Sequence, residues 1–341
     1  MTVSREGPPP YEQPVLVVQP LPGIGDTVWH LPHIRAIAAY AGAPVTLLTK
    51  PRSLADQLLV HEPAVADILW VDRNPSGRSG THDGLTGFVR LVRMLRARRF
   101  GTAILLHKSD TLACATFLAG IPDRRGYGWG LQRMFLNTGP FLPRSIAKLR
   151  PHARATSYLR AAGIPLPSAE PTLTIPAATR LAARRRLGDL TSRFVVMGIG
   201  SSETLRKWSE ERFAALAKAL LDAGWPMIVL LGGPGDTAAA ASIRATLGER
   251  VRLAMGWHLD EVAGLLAEAA FYAGNDTGVM NMAAAAGIRT YALFGTTPPI
   301  EHATQVVGIT TPDIGMYDGV ARITPALVLD VIRADRGTLS P

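Results

Sequence analysis

The chain has 341 residues, 47% hydrophobic and 18% charged, enough for two cored domains of roughly 150 to 200 residues and too apolar for disorder. A single cysteine, Cys114, excludes a disulfide framework and a cysteine-rich zinc site. No apolar run approaches roughly 18 residues and the first ten residues lack a signal-peptide pattern, so a cytoplasmic, reducing-compartment protein is expected.

The 36 Lys and Arg against 27 Asp and Glu give a net charge of +9. Residues 1–175 hold 20 basic and 11 acidic side chains, and residues 176–341 hold 16 of each. The excess therefore belongs to the first half. It implies an anionic partner there, whether nucleic acid, a phosphorylated glycan or an acidic membrane surface, unless an Arg-rich composition merely reflects coding bias.

In chain order, strands are predicted at Pro14–Val18, Val45–Thr49, Asp67–Val71 and Thr102–His107. Helices are predicted between and after them, at Asp26–Ala41, Ser53–Val60, Leu85–Arg99 and Thr111–Ala119. The proline-rich segment 163–178 reads as a linker or an extended crossover. The pattern then restarts with strand Phe194–Met197, helix Glu210–Ala223, strand Met227–Leu231 and helix Thr237–Leu247. Helix Asp260–Ala267, strand Phe271–Ala273, helix Gly278–Ala286 and strand Thr290–Phe294 follow. The expected class is α/β, with two Rossmann-like, doubly wound domains (1–175 and 176–341) facing each other across a cleft. The final helix is a candidate to pack back on the first domain.

In such sheets ligands sit beyond the carboxyl ends of the strands. The first strand runs into Leu21-Pro-Gly-Ile-Gly-Asp26. Second-half strands run into Gly198-Ile-Gly-Ser-Ser202, Gly232-Gly-Pro-Gly-Asp236, Gly274-Asn-Asp-Thr-Gly278 and Phe294-Gly-Thr-Thr297. Glycines admit backbone N–H groups to phosphate oxygens, and helix N-termini favour anions, so these turns point to a phosphate-bearing ligand. A dinucleotide site at Gly23-x-Gly25 is excluded twice. The third glycine of the fingerprint falls on Val28, and the second strand ends in Thr49-Lys50 rather than an acid.

Asp26 opens the first helix as either a first-turn cap or a general base. Lys207 is either a solvated lysine beside the anchor Trp208 or a cation over a diphosphate, with Ser201 and Ser202 as hydroxyl donors. Asp276 and Thr277 can cap their helix and also bind phosphate through its amides. Lys108, at the fourth strand's end, is a candidate for an anionic acceptor. Arg90, Arg93, Arg96, Arg98 and Arg99 form either a solvated face or a contact for acidic lipid head groups. His30 and His33 lack a third metal ligand, no Asp-x-Asp pair is present, and Cys114 reads as core, so no metal is expected.

These residues resemble glycosyltransferase family 9, the ADP-heptose:lipopolysaccharide heptosyltransferases. The resemblance runs from residue 19 to about residue 300. It rests on Gly25-Asp26-Thr-Val-Trp-His-Leu-Pro32, His107-Lys108-Ser109, Arg124-Arg125-Gly126-Tyr127 and Lys207-Trp208-Ser209-Glu210. Most specific is Asn275-Asp276-Thr277-Gly278-x-Met280, continuing to Leu293-Phe294-Gly295-Thr296. It implies a GT-B fold and metal-independent, inverting transfer from a nucleotide sugar, with no cofactor. Asp26 would be the base and Lys207, Ser201, Ser202, Thr277 and Gly278 the diphosphate site. Asp276 would organise the loop, Asp236 would hold the ribose, and Met255 and Gly256 the base. Where many members carry histidine this chain has Asn281, which can donate to phosphate but cannot become cationic.

The implied function is transfer of a heptose from ADP-heptose onto an anionic lipid-linked glycan, by a cytoplasmic protein peripheral on the inner membrane. Another nucleotide sugar, a protein or polysaccharide acceptor, and a non-catalytic binding relative are the alternatives. Nucleic acid is not an expected partner, because no aromatic-basic platform supports it.

Overall fold

The computed structural model describes residues 13–74, 79–188, 193–300, 303–311 and 319–335. The first ten residues, read above for a signal peptide, lie outside them. Contacts divide the chain into two compact units, Met1–Pro171 and Thr172–Pro341.

The first unit runs β1 (Val15–Val18), α1 (Ile24–Ala41), β2 (Val45–Thr49), α2 (Ala55–Leu58), β3 (Val65–Trp70), α3 (Gly84–Ala97), β4 (Thr102–Leu105), α4 (Asp110–Leu118), β5 (Asp123–Gly126), α5 (Gln132–Phe135) and α6 (Pro151–Ala161). Its sheet is parallel throughout, in the order β3-β2-β1-β4-β5. The central strands β1 and β4 are buried along their whole length, as expected of strands covered by helices on both faces. Leu91 and Leu95 of α3 pack with Leu112 and Ala115 of α4 into one core cluster. Cys114 is half-buried on α4 rather than part of that core.

The second unit runs α7 (Ala177–Arg186), β6 (Val195–Gly198), α8 (Glu210–Asp222), β7 (Ile228–Gly232), α9 (Thr237–Leu247), β8 (Val251–Met255), α10 (Leu259–Glu268), β9 (Phe271–Asn275), α11 (Gly278–Ala285), β10 (Arg289–Leu293), β11 (Val306–Ile309) and α12 (Pro325–Ala334). Its six parallel strands lie in the order β11-β10-β9-β6-β7-β8. The core is aromatic: Trp225 meets Phe271 edge-on at 5.1 Å, and Phe271 meets Tyr291 at 5.4 Å. The last helix, α12, packs on α8 within this unit through Val328 and Ile332.

Both sheets reverse strand order once, between β1 and β4 and between β6 and β9. A ligand crevice opens at such a switch point, beyond the carboxyl ends of the two flanking strands. The expected helix Ser53–Val60 is instead a 3-10 turn at Pro51–Ser53 and the single turn α2, separated by Leu54 in a left-handed conformation (φ 49°). That φ interrupts helical hydrogen bonding.

Candidate functional site

At the switch point of the first unit, β1 ends at Val18 and Gly23 caps α1. Gly23 N–H donates to Asp26 Oδ2 at 3.1 Å, a cap made from the third helical residue. A Cβ on residue 23 would stand 2.7 Å from that oxygen, so only glycine lets the carboxylate fold onto the turn. Asp26 is both cap and candidate base, because capping takes one oxygen and leaves Oδ1 for a substrate proton. Burial raises its pKa, and the Gly23 N–H opposes the rise.

Lys108 follows the neighbouring strand β4. Its ammonium pairs with Asp110 Oδ2 at 2.7 Å while the side chain stays 40% exposed, so the charge reaches solvent.

Behind Asp26, α1 buries two histidines. His30 Nδ1 bonds the Asp26 carbonyl at 2.7 Å and His33 Nε2 bonds Thr156 Oγ1 at 2.8 Å. Burial depresses His30 to about 4 and His33 to about 3; His107 is held to about 4 by burial and by the nearby Arg154 and Lys108 cations. In the unfolded chain each would titrate near its ordinary value of about 6.5. Between about pH 6.5 and pH 4 the unfolded chain thus holds protons the folded unit refuses, so stability falls as pH falls through that window. For His30 alone the loss is about 3 kcal/mol. The protection factors of the α1 amides, exchange rates corrected for the intrinsic rate at each pH, should therefore fall from pH 7 to pH 5. The His30→Asn variant, which keeps a donor for the Asp26 carbonyl, should lessen the pH slope by about one proton. An unchanged slope would remove His30 from the account.

In the second unit the site is built around Asn275, the buried last residue of β9. Its amide donates to the carbonyls of Ile199 at 3.0 Å and Gly200 at 3.2 Å, and its oxygen accepts Trp208 N–H at 3.0 Å. Trp208 is buried and its indole donates to the Ile323 carbonyl at 2.9 Å. One amide and one indole thus fix the loop after β6 against the end of β9. Close backbone approach completes the crevice: a Cβ on Gly274 would lie 2.4 Å from Gly198 O, a rigid collision.

The fixed loop points two adjacent cations in different directions. Lys207 Nζ meets Asp236 Oδ1 at 2.6 Å, and Asp236 Oδ2 accepts Gly233 N–H at 3.0 Å. Both carboxylate oxygens of Asp236 are therefore engaged within the protein. Arg206 instead meets Asp276 Oδ2 at 3.2 Å, an oxygen that also accepts Thr297 Oγ1 at 3.1 Å. Thr277 holds the N-cap position of α11 without a capping hydrogen bond from its side chain, Gly278 opens the helix, and Asn281 Nδ2 donates to the Thr277 carbonyl at 3.0 Å. Asp276, Thr277, Gly278 and Asn281 therefore form one turn with Arg206 beside it.

Met255 ends β8, and Gly256 N–H donates to the Gly232 carbonyl at 2.9 Å, which seats both beside the turn carrying Asp236. Ser201 turns inward to its own loop, donating to the Glu203 carbonyl at 3.0 Å, whereas Ser202 is exposed. An open cavity of about 330 Å³ adjoins Lys207 and Asp236, lined on its apolar side by Ile199, Trp208, Phe213 and Ile243. The sequence pattern marks Asn275 only as part of a motif and assigns neither it nor Arg206 a role at the site. Among the described residues no three His, Cys, Asp or Glu side chains gather as a metal site would require.

Two parallel α/β sheets, each with glycine-bearing turns at its switch point, are the architecture of GT-B proteins. The model of glycosyltransferase family 9 (heptosyltransferase) matches residues 88–310, and the chain belongs to that family. Lipopolysaccharide heptosyltransferase 2 of Escherichia coli is 27% identical over 272 residues, covering 72% of this chain and 78% of that protein. Among solved structures, the family 9 glycosyltransferase of Veillonella parvula superposes with TM-score 0.77 at 20% identity, covering 95% of this chain and 97% of that one. An E. coli heptosyltransferase with ADP-2-deoxy-2-fluoro heptose superposes with TM-score 0.72 at 19% identity, covering 94% and 99%. The protein is a glycosyltransferase.

Proposed function

We propose that this protein transfers a heptose from ADP-heptose, with inversion and without a metal, onto an anionic lipid-linked glycan such as the lipopolysaccharide core. The observation that carries this reading is the β6/β9 switch point, where the α11 N-terminus and Arg206 gather at the Asp276 turn and Lys207, from the same loop, stands on Asp236. The solved relative carrying an ADP-heptose analogue supports the donor, and the E. coli relative's name supports the acceptor.

Asp26 Oδ1 takes the proton of the acceptor hydroxyl as its oxygen attacks the anomeric carbon from the face opposite the diphosphate. The bond between that carbon and the diphosphate oxygen breaks, and its electron pair goes to the departing ADP. Arg206, Lys207 and the free amides of α11 counter that charge. Thr277, Gly278, Asn281, Ser201 and Ser202 line the diphosphate, Asp236 lies toward the ribose, and Met255 and Gly256 toward the base. Lys108 and the basic first half meet the anionic acceptor. The protein works on the cytoplasmic face of the inner membrane, held there peripherally. No helix among the described residues is long and apolar enough to cross a membrane.

The test is purified protein with a panel of nucleotide sugars, reading nucleotide release and acceptor mass. ADP release with a heptose-sized mass gain on a core glycan is the expected result. Turnover of a different nucleotide sugar would replace the donor, and binding without turnover would make the chain a non-catalytic relative.

A further inference from the structure

Residues 84–150 contain twelve Lys and Arg and only two acidic residues, Asp110 and Asp123, a larger excess than the whole chain's +9. The same stretch holds most of the exposed large apolar side chains among the described residues. Of ten large apolar side chains exposed among the described residues, seven lie between Leu85 and Leu149. Charge and exposed apolar area seldom coincide on a protein that meets only water.

These side chains form one band. On α3 the solvent face carries Leu85 and Val89, 79% and 37% exposed, then Arg93 and Arg96 at helical spacing. Arg96 Nη2 donates to the Leu118 carbonyl at 2.5 Å, which joins α3 to the end of α4. There Phe117 and Leu118 are 48% and 42% exposed. The Phe117 ring lies 6.0 Å from Phe135 of α5, with the Arg124 guanidinium over it at 5.2 Å. From α5 the band ends in Leu131 and Met134, 61% and 73% exposed.

We infer that this band, across α3, the end of α4 and α5, is where the protein docks on a membrane leaflet rich in anionic lipid. The inference rests on the proposal of a lipid-linked acceptor and names the surface that proposal leaves open. The flexible apolar tips enter the boundary between head groups and acyl chains. The guanidinium groups remain at lipid phosphates, their stems lying along the apolar strip. A second copy of the chain is disfavoured, because two such faces repel. Nucleic acid is disfavoured because the exposed set is mainly aliphatic and its one ring, Phe117, is covered by Arg124.

The experiment is co-sedimentation of the full chain with vesicles of phosphatidylglycerol mixed into phosphatidylcholine, and with phosphatidylcholine alone. Wild type should bind the mixed vesicles at least about tenfold better, and added salt should weaken the binding without abolishing it. The double variant Leu131→Ser/Met134→Ser should lose about tenfold in partition at either salt, yet transfer normally to a water-soluble acceptor fragment. Equal binding by variant and wild type, equal binding to both vesicles, or a protein dimer formed through this face would overturn the docking surface. Vesicle binding in a protein that transfers sugar to no acceptor would leave the surface standing and sink the functional proposal instead.

Discussion

Replacing Asp26 by Asn lowers kcat by about 10²–10⁴-fold and leaves donor affinity near wild type. The substitution is chosen because Asp26 has two roles in the structure. Its Oδ2 accepts the Gly23 N–H, and an asparagine oxygen can keep that bond, so the turn after β1 survives. Lost is the ability of the other position to hold a proton taken from the acceptor. Asp26→Ala confounds the two roles, since it also removes the cap, at about 1 kcal/mol. The pH profile gives a second reading. Burial raises the carboxyl's pKa, and only the ionised form is a base, so kcat climbs with pH along a limb displaced above the range of an ordinary aspartate. The residual rate of the Asn variant should lack that limb. Wild-type kcat in the Asn variant, measured with saturating donor and acceptor, would return Asp26 to a purely structural role.

The fold was legible where strands are buried on both faces and opaque at the sheet edges. β1, β4, β6, β7, β9 and β10 are interior strands, short and buried, and β1 (VLVV) and β7 (IVLLG) are the continuous aliphatic runs that mark such strands most plainly. β5 (Asp123–Gly126), with two arginines in four residues, and β8 (Val251–Met255), with Arg252 inside it, are half-exposed edges that carry no such run, and the short edge β11 (Val306–Ile309) is only VVGI. The edge strand β3 starts two residues earlier than the reading placed it. The site divides in a similar way. Asp276, Thr277 and Gly278 stand out because a strand end, a cap and a helix start coincide in one short turn. Asn275 belongs to that motif, yet its use as a clamp on Ile199, Gly200 and Trp208 depends on β6 and β9 being neighbours although two strands separate them in sequence. No local pattern states that adjacency. For the same reason Arg206 and Lys207 look interchangeable in the sequence, and only the fixed loop shows that they serve different carboxylates.

That difference predicts a pattern of couplings. Arg206→Ala should reduce both donor affinity and kcat, together by about 10²-fold, since the guanidinium is beside the Asp276 turn and the start of α11, where the leaving diphosphate is proposed to lie. Arg206→Lys should recover part of the loss, because charge returns but the planar two-point geometry does not. Lys207→Ala should also slow transfer, by leaving the cavity beside Asp236 without its cation. The decisive measurement is a set of double-mutant cycles on donor affinity. Arg206 with Asp276, and Lys207 with Asp236, should each couple by about 0.5–3 kcal/mol, as expected for side chains in contact. The crossed cycles, Arg206 with Asp236 and Lys207 with Asp276, should be additive within about 0.5 kcal/mol. Strong crossed coupling would mean that the two cations act as a single cluster. Absence of coupling in the direct cycles would mean that neither ion pair persists in solution, and the division of labour between adjacent residues would fail with it.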